Sequence, residues 1–411
     1  MNLTSTRPVI VLLLVTLAVS AGPVAWADVV TDWDATVCDL VAQAKLNPAA
    51  ANRVVTIVQT AVYEAANAVT RRYPPGSLRL EAPPGSSVEA AVAAANRATL
   101  AGLVPSQQAA VESAYQAALA KIADGPAKAA GIVVGERAAA AALAMRADDD
   151  VASAEAYRPL TSPGTYVPTV IPAVPTWPQR KPWLMASPSQ LRPGPPPALS
   201  SEVWARDYNE IKAMGRKDSS SRTPEQTAIA RFWETTQPSI YHEVVISVAS
   251  APGREVTQNA RLLAAVCQAT DDALIAVFDA KYHYNFWRPV TAIRNGDNDG
   301  NPATERDPAW TPFIETPMHP EYPCAHCIVA AAVGTVLEAE IGSGEMPTLA
   351  ATSPTADGAV RSWTTVDDFI QEVANARIWD GVHFRTSTEV GAGMGRKVGE
   401  LAVARYMQQD D

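Results

Sequence analysis

Lys281-Tyr282-His283-Tyr284-Asn285-Phe286-Trp287-Arg288-Pro289 closes a long helical stripe and sets an arginine seven places after a lysine. Two further segments continue the pattern downstream: Pro323-Cys324-Ala325-His326, and Arg377 followed six places on by His383. Lysine, two arginines and two histidines drawn from three separate segments make a site for a tetrahedral oxyanion. Guanidinium groups offer permanently charged, forked donors, and a lysine adds a point charge. One histidine can attack or ligate the central atom while the second exchanges a proton with an apical oxygen.

The stripe before Lys281 carries Leu262, Leu263, Val266, Ala269, Ala273 and Val277 at helical spacing and predicts a helix from about 256 to 281. Working outward, helices are expected at about 200–214, 224–236 and 238–250, with Pro224 at a helix start after Thr223. Val54 to Val69 is periodic, and Ala-rich segments at about 87–103, 106–122 and 128–147 have high helix propensity, with Gly125-Pro126 separating the last two. Proline is dense from 157 to 199, where no regular element can run. It reads as a meander wrapping the bundle. Asn295-Gly296-Asp297-Asn298-Asp299-Gly300 reads as a turn-rich loop, since Arg306 stands where a calcium loop needs glutamate. Pro323 precedes an apolar run to Val333, so His326 is expected in the first turn of a helix, whose free amides and dipole favour an anion. Thr386 and Glu389 have capping-box spacing for a following helix.

Lys-x6-Arg-Pro, Pro-Ser-Gly-His and Ser-Arg-x5-His-x3-Asp are together the signature of the vanadium-dependent haloperoxidases and type 2 phosphatidic-acid phosphatases. This chain resembles their secreted bacterial haloperoxidase-like branch. The likeness extends to Trp287, Thr291-Ala292-Ile293-Arg294, Met318-His319-Pro320-Glu321-Tyr322, Arg192 to Ala198, and Arg222 to Gln226. It implies an all-α helical bundle with a Pro-rich meander. It also implies that Lys281, Arg288, Arg377, Cys324 and the Ala325 amide bind equatorial oxygens. His383 is then the axial vanadium ligand, or a phosphorylated nucleophile, and His326 the acid–base partner. The implied cofactor is vanadate, and the partners are hydrogen peroxide, a halide and an organic acceptor. The alternatives are a phosphate-monoester hydrolase acting through a phosphohistidine, with no cofactor, and a non-catalytic oxyanion-binding relative. Two positions depart from the pattern: Cys324-Ala325 replaces Ser-Gly, and Ser387 replaces the aspartate that would support His383. Asp380 and Glu389 are the nearby carboxylates in sequence that could take that part.

Arg7, the apolar run from Val9 to Val19 and Ala25-Trp26-Ala27 predict a signal peptide over residues 1–27, and hence export to a periplasm or beyond with no membrane span after cleavage. The rest divides into an N-terminal helical region (28–156), the meander (157–199) and a C-terminal catalytic region (200–411), expected to share one core. A net charge of −10 argues against a general nucleic-acid role. Four cysteines are too few for a disulfide scaffold. Cys324 and Cys327 read as a plain substitution or structural bridge rather than a redox pair. His242 stands alone and reads as structural, while His283 and His319 flank the motifs.

Overall fold

A computed structural model describes residues 28–149 and 161–407; the expected signal peptide lies outside them. Thirteen helices form the described chain, with a single pair of short strands. Helix α1 (Val29–Gln43) starts at a capping box between Asp28 and Thr31. α2 (Pro48–Thr70) has Asn47 as N-cap and proline in its first turn, and ends where Arg71 turns left-handed at φ 53°. The Ala-rich segments become α3 (Val88–Leu103), α4 (Gln108–Leu119) and α5 (Pro126–Met145). α3 and α5 pack so closely that a Cβ at Gly135 would sit 2.2 Å from the Ala91 carbonyl oxygen.

The C-terminal region holds α6 (Glu202–Met214), α7 (Pro224–Phe232), α8 (Pro238–Ala249) and α9 (Val256–Tyr284). After these come α10 (Pro289–Arg294), α11 (Ala325–Ile341), α12 (Val366–Trp379) and α13 (Arg385–Tyr406). The antiparallel strands β1 (Leu349–Thr352) and β2 (Val360–Trp363), which periodicity did not signal, join α11 to α12. α9 is the central element, packed against α2, α11 and α13. Nearly all of its side chains from Thr257 to Lys281 are buried, far more than a one-sided stripe requires. One hydrophobic core runs from α1 to α13. A smaller aromatic core of Trp204, Tyr208, Phe286, Trp287, Trp310 and Phe384 supports the segment that carries Arg288.

The meander contains one 3-10 turn, Trp177–Gln179, and is fastened to α9 by acidic side chains. Asp272 accepts the amides of Trp183, Leu184 and Met185 at 2.7–2.8 Å, and Asp279 takes a forked pair from Arg192. Asp299, in the expected loop, is spent on Trp204 Nε1, Asn301 N and the Thr304 hydroxyl, which accounts for it without a cation. The expected capping box at Thr386 does not form. α13 already begins at Arg385, and the Thr386 amide is taken by Asp207 of α6. Among the described residues, no helix is long and apolar enough to cross a membrane.

Candidate active site

Helix ends bring the three sequence segments together. Lys281 lies in the last turn of α9, which the left-handed Asn285 terminates at φ 49°. The chain then turns so that Arg288 becomes the N-cap of α10. Cys324 is the N-cap of α11, placing Ala325 and His326 in its first turn, where the amides have no intrahelical acceptor. Arg377 ends α12, and His383 sits in the short link to α13, its amide bonded to the Arg377 carbonyl at 3.0 Å. Basic side chains at the C-terminal ends of α9 and α12 complement those helix dipoles, while the N-terminus of α11 adds its own positive end.

Lys281, Arg288, Arg377, His326 and His383 are all buried. Lys281 Nζ donates to the carbonyls of Pro320 and Glu321 at 2.9 and 2.7 Å. Arg288 donates through Nε to the His319 carbonyl (2.9 Å), through Nη1 to the Val382 carbonyl (2.8 Å), and through Nη2 to His319 Nδ1 (3.0 Å). Its Nη1 also lies 3.3 Å from His383 Nε2. Arg377 Nη1 donates to the Trp233 carbonyl at 2.5 Å. It sits 2.7 Å from Asp380 Oδ2 at an angle that makes this a charge contact and not a directed bond. Arg377 Nε and Nη2 and His326 Nε2 are buried with no hydrogen-bond partner.

The carboxylate behind His383 comes from neither position expected. Asp380 faces Arg377 and accepts the Val382 amide, while Glu389 lies half a turn past Ser387 on α13. Glu321, fully buried and two residues ahead of Pro323, places Oε1 2.8 Å from His383 Nδ1. The same oxygen accepts the Phe384 amide at 3.0 Å, which marks it as an acceptor toward His383 too. Nδ1 therefore carries the proton, and Nε2 keeps its lone pair facing the arginines. Ser387 Oγ lies 3.5 Å from Nδ1. Glu321 was missed because its ordinary neighbours in sequence, His319-Pro320 and Tyr322-Pro323, carry no spacing rule that ties it to residue 383. A carboxylate contact across 62 positions leaves no periodic trace.

Burial in a dry site, reinforced by crowded like charges, shows in the titration of Lys281, Arg288, His326 and His383. Burial, reinforced by Arg288, drives the Lys281 ammonium well below its usual range. Burial holds Arg288 down at about 10 despite the opposing Glu321 charge. His383 is pushed well below the ordinary imidazole value by burial, then Arg288, Lys281 and Arg377, and His326 likewise by burial and Arg377. Both rings are neutral at pH 7. Burial raises Glu321 to about 7 against the pull of Lys281 and Arg288.

Arg377, His383, His326, Ala325 and His319 share the wall of a cavity of about 470 Å³, whose apolar side includes Leu274, Phe278, Ile314 and Met318. Ala173 and Val174 of the meander close part of it. Lys281, Arg288 and Cys324 stand behind this wall. Cys324 Sγ caps α11 by accepting the Cys327 amide at 3.3 Å, and all four cysteines are free thiols. His319 thus faces the cavity, whereas His283 is exposed and stacks edge-on with Tyr284.

The fold is thus a helical bundle that buries a lysine–arginine–histidine cluster at converging helix ends. Residues 261–410 match the family described as the VCPO second helical-bundle domain. The chain is 30% identical over 172 residues to the vanadium chloroperoxidase of Curvularia inaequalis, a match covering 34% of this chain and only 28% of that protein's length. In fold it is similar to a bacterial vanadium-dependent iodoperoxidase (TM-score 0.79, 22% identity, 94% of this chain and 98% of that one). It is similar too to the apo form of a bacterial vanadium-dependent chloroperoxidase (TM-score 0.72, 19% identity, 88% and 94%). Residues 261–410 therefore carry the second helical-bundle domain of that family, and the described chain shares the helical-bundle fold of the bacterial vanadium-dependent haloperoxidases.

Proposed function

We propose that this protein is a vanadate-dependent haloperoxidase-like enzyme that oxidises halide with hydrogen peroxide and delivers the product to an organic acceptor. The observation that carries the reading is the pair of unpartnered buried donors, Arg377 Nε and Nη2, facing the equally unpartnered His326 Nε2 among three cationic side chains. Buried donors without partners are costly, and a tetrahedral oxyanion supplies the acceptors and the countercharge together. The donor set fits vanadate and phosphate alike, and the haloperoxidase relatives favour vanadate.

In this scheme Glu321 holds the Nδ1 proton of His383, so that the Nε2 lone pair would hold the vanadate. Arg377 would hold oxyanion oxygens through its forked Nε and Nη2 N–H groups, with the Ala325 amide alongside. Arg288 and Lys281 supply charge from behind and fix the 319–321 segment through its carbonyls. When bound, vanadate supplies Lewis-acid activation of the peroxide. His326, neutral at pH 7, would take a proton from hydrogen peroxide at Nε2 and release it to the oxygen that leaves as water. The apolar half of the cavity receives the acceptor and excludes bulk water. The Cys324 substitution is tolerated in this reading because the sulfur serves the helix cap. Residues 1–27 direct export, and the helical regions either side of the meander act as one catalytic unit.

The test is bromide-dependent halogenation of a chromogenic phenol by the purified mature protein with hydrogen peroxide, with and without orthovanadate. Turnover that requires vanadate and disappears in His383→Ala supports the proposal. Phosphate release from a generic monoester, with no halogenation, would replace it with phosphohistidine chemistry at His383. Vanadate binding with neither activity would leave an oxyanion-binding relative.

A further inference from the structure

A second cluster of metal-binding side chains lies away from the oxyanion residues, where α1, α8 and α9 meet. Asp34 and Cys38 stand one turn apart on α1, and His242 projects from α8. All three are buried, and their ligating atoms lie within 4.8 Å of one another. His242 Nδ1 is 2.8 Å from Asp34 Oδ1. On the other edge of the ring, Nε2 is 3.6 Å from Cys267 Sγ of α9. Gln59 of α2 donates to Asp34 Oδ1 at 2.8 Å. Asp34, Cys38 and His242 also line a cavity of about 390 Å³ that shares no residue with the cavity at Arg377.

We infer that Asp34, Cys38 and His242 bind one divalent cation of the zinc class, through carboxylate, thiolate and imidazole Nδ1, with a fourth position open to the adjoining cavity. Zinc bonds of about 2.0–2.3 Å place tetrahedral ligand atoms roughly 3.3–3.8 Å apart, so the Nδ1–Oδ1 pair at 2.8 Å must open by about half an ångström while the widest separation, within 4.8 Å, closes by up to about one. Mixed oxygen, nitrogen and sulfur donors suit zinc better than magnesium or calcium, which take oxygen only. The outer contacts are of the right kind. With the cation on Nδ1, the Nε2 proton points at Cys267 Sγ, and Gln59 steadies the carboxylate; partners of this sort orient metal ligands. A buried Asp–His pair alone accounts for neither the thiol on the same face of α1 nor the solvent pocket beside it.

The test uses the full mature chain, stripped with a chelator and titrated with Co²⁺ alone and then Zn²⁺ alone. One equivalent should bind, with the intense visible bands of four-coordinate cobalt and a near-ultraviolet sulfur-to-cobalt band. Cys38→Ser should lose the sulfur band, and His242→Ala should weaken binding by more than about 100-fold. Cys267→Ser should keep both stoichiometry and band, as should His383→Ala, which separates this site from the oxyanion cluster. Wild-type protein that takes up no stoichiometric metal overturns the inference even if a variant fails to fold. So does a cobalt spectrum without a sulfur band, or a band that survives Cys38→Ser and vanishes in Cys267→Ser.

Discussion

Replacing Arg377 by lysine keeps a positive charge beside Asp380 and the Trp233 carbonyl but removes the fork formed by Nε and Nη2. Those two N–H groups are the best placed to bind oxyanion oxygens, because no protein acceptor competes for them. A hydrogen bond to a charged group contributes about 1.5–3 kcal/mol net, so losing two costs roughly 3–6 kcal/mol of oxyanion affinity. That corresponds to about 10²- to 10⁴-fold in Kd. The fold should tolerate the change. The ion pair is retained, and Asp380, which burial raises to about 7, can take a proton if the contact lengthens. The assay is titration calorimetry with orthovanadate, and separately with inorganic phosphate, backed by thermal unfolding. Ligand at 100 times its Kd stabilises the native state by about 2.7 kcal/mol, so wild-type protein should show an anion-dependent rise in Tm that the variant lacks at equal concentration. A variant that binds either anion within about threefold of wild type would refute the assignment of these donors to the oxyanion.

Glu321→Gln keeps the volume and an acceptor oxygen while removing the charge behind His383, so vanadate-dependent turnover should fall by about 10–100-fold; Glu321→Asp with near-wild-type turnover, measured beside it, would instead make the charge alone sufficient. Gly395→Ala drives a methyl to 2.2 Å from the Ile328 carbonyl where α11 and α13 touch, and should lower urea-unfolding stability by about 1–3 kcal/mol, whereas Gly393→Ala, with open space around it, should not. Burial raises Asp272 from 3.8 to about 6 in the fold, opposed by its three backbone N–H donors. The native state therefore holds this proton where the unfolded chain does not, and the contribution is complete below about pH 4 and lost as pH rises through about 6. Relative to Asp272→Asn, wild-type protein should gain about 1 kcal/mol between pH 7 and 5 in urea titrations; a gain in the opposite direction would mean that the three N–H donors outweigh burial.

Helical periodicity, alanine content and proline placement made the bundle legible, because α2 and α9 repeat apolar side chains at helical intervals and α3 and α5 are rich in alanine. Pro224 behind Thr223 marked the start of α7 for the same local reason. The strands at 349–352 and 360–363 escaped, being four residues each, too short for a countable period, with the first also fastened to α8 by Glu243 and Ser247. In the site, the ordered Lys/Arg/His spacing identified residues that converge, since each sits at a helix end whose position in sequence is fixed. Partners that arrive through space were illegible. Ser387 drew attention to the missing aspartate, yet Glu321, which stands in for it, is separated from His383 by all of α11 and α12. His242 looked solitary for the same reason, its neighbours Asp34 and Cys267 lying on α1 and α9.

Glu321 reaches the site by two routes: its carbonyl accepts the Lys281 ammonium, and its carboxylate accepts the His383 ring. One residue therefore works as a clasp between the end of α9 and the link after α12. Changes to its side chain and changes to the local backbone will produce different defects, the first releasing only the ring and the second releasing ring and lysine together. A mutational scan that ranks positions by side-chain tolerance will register half of what this position does.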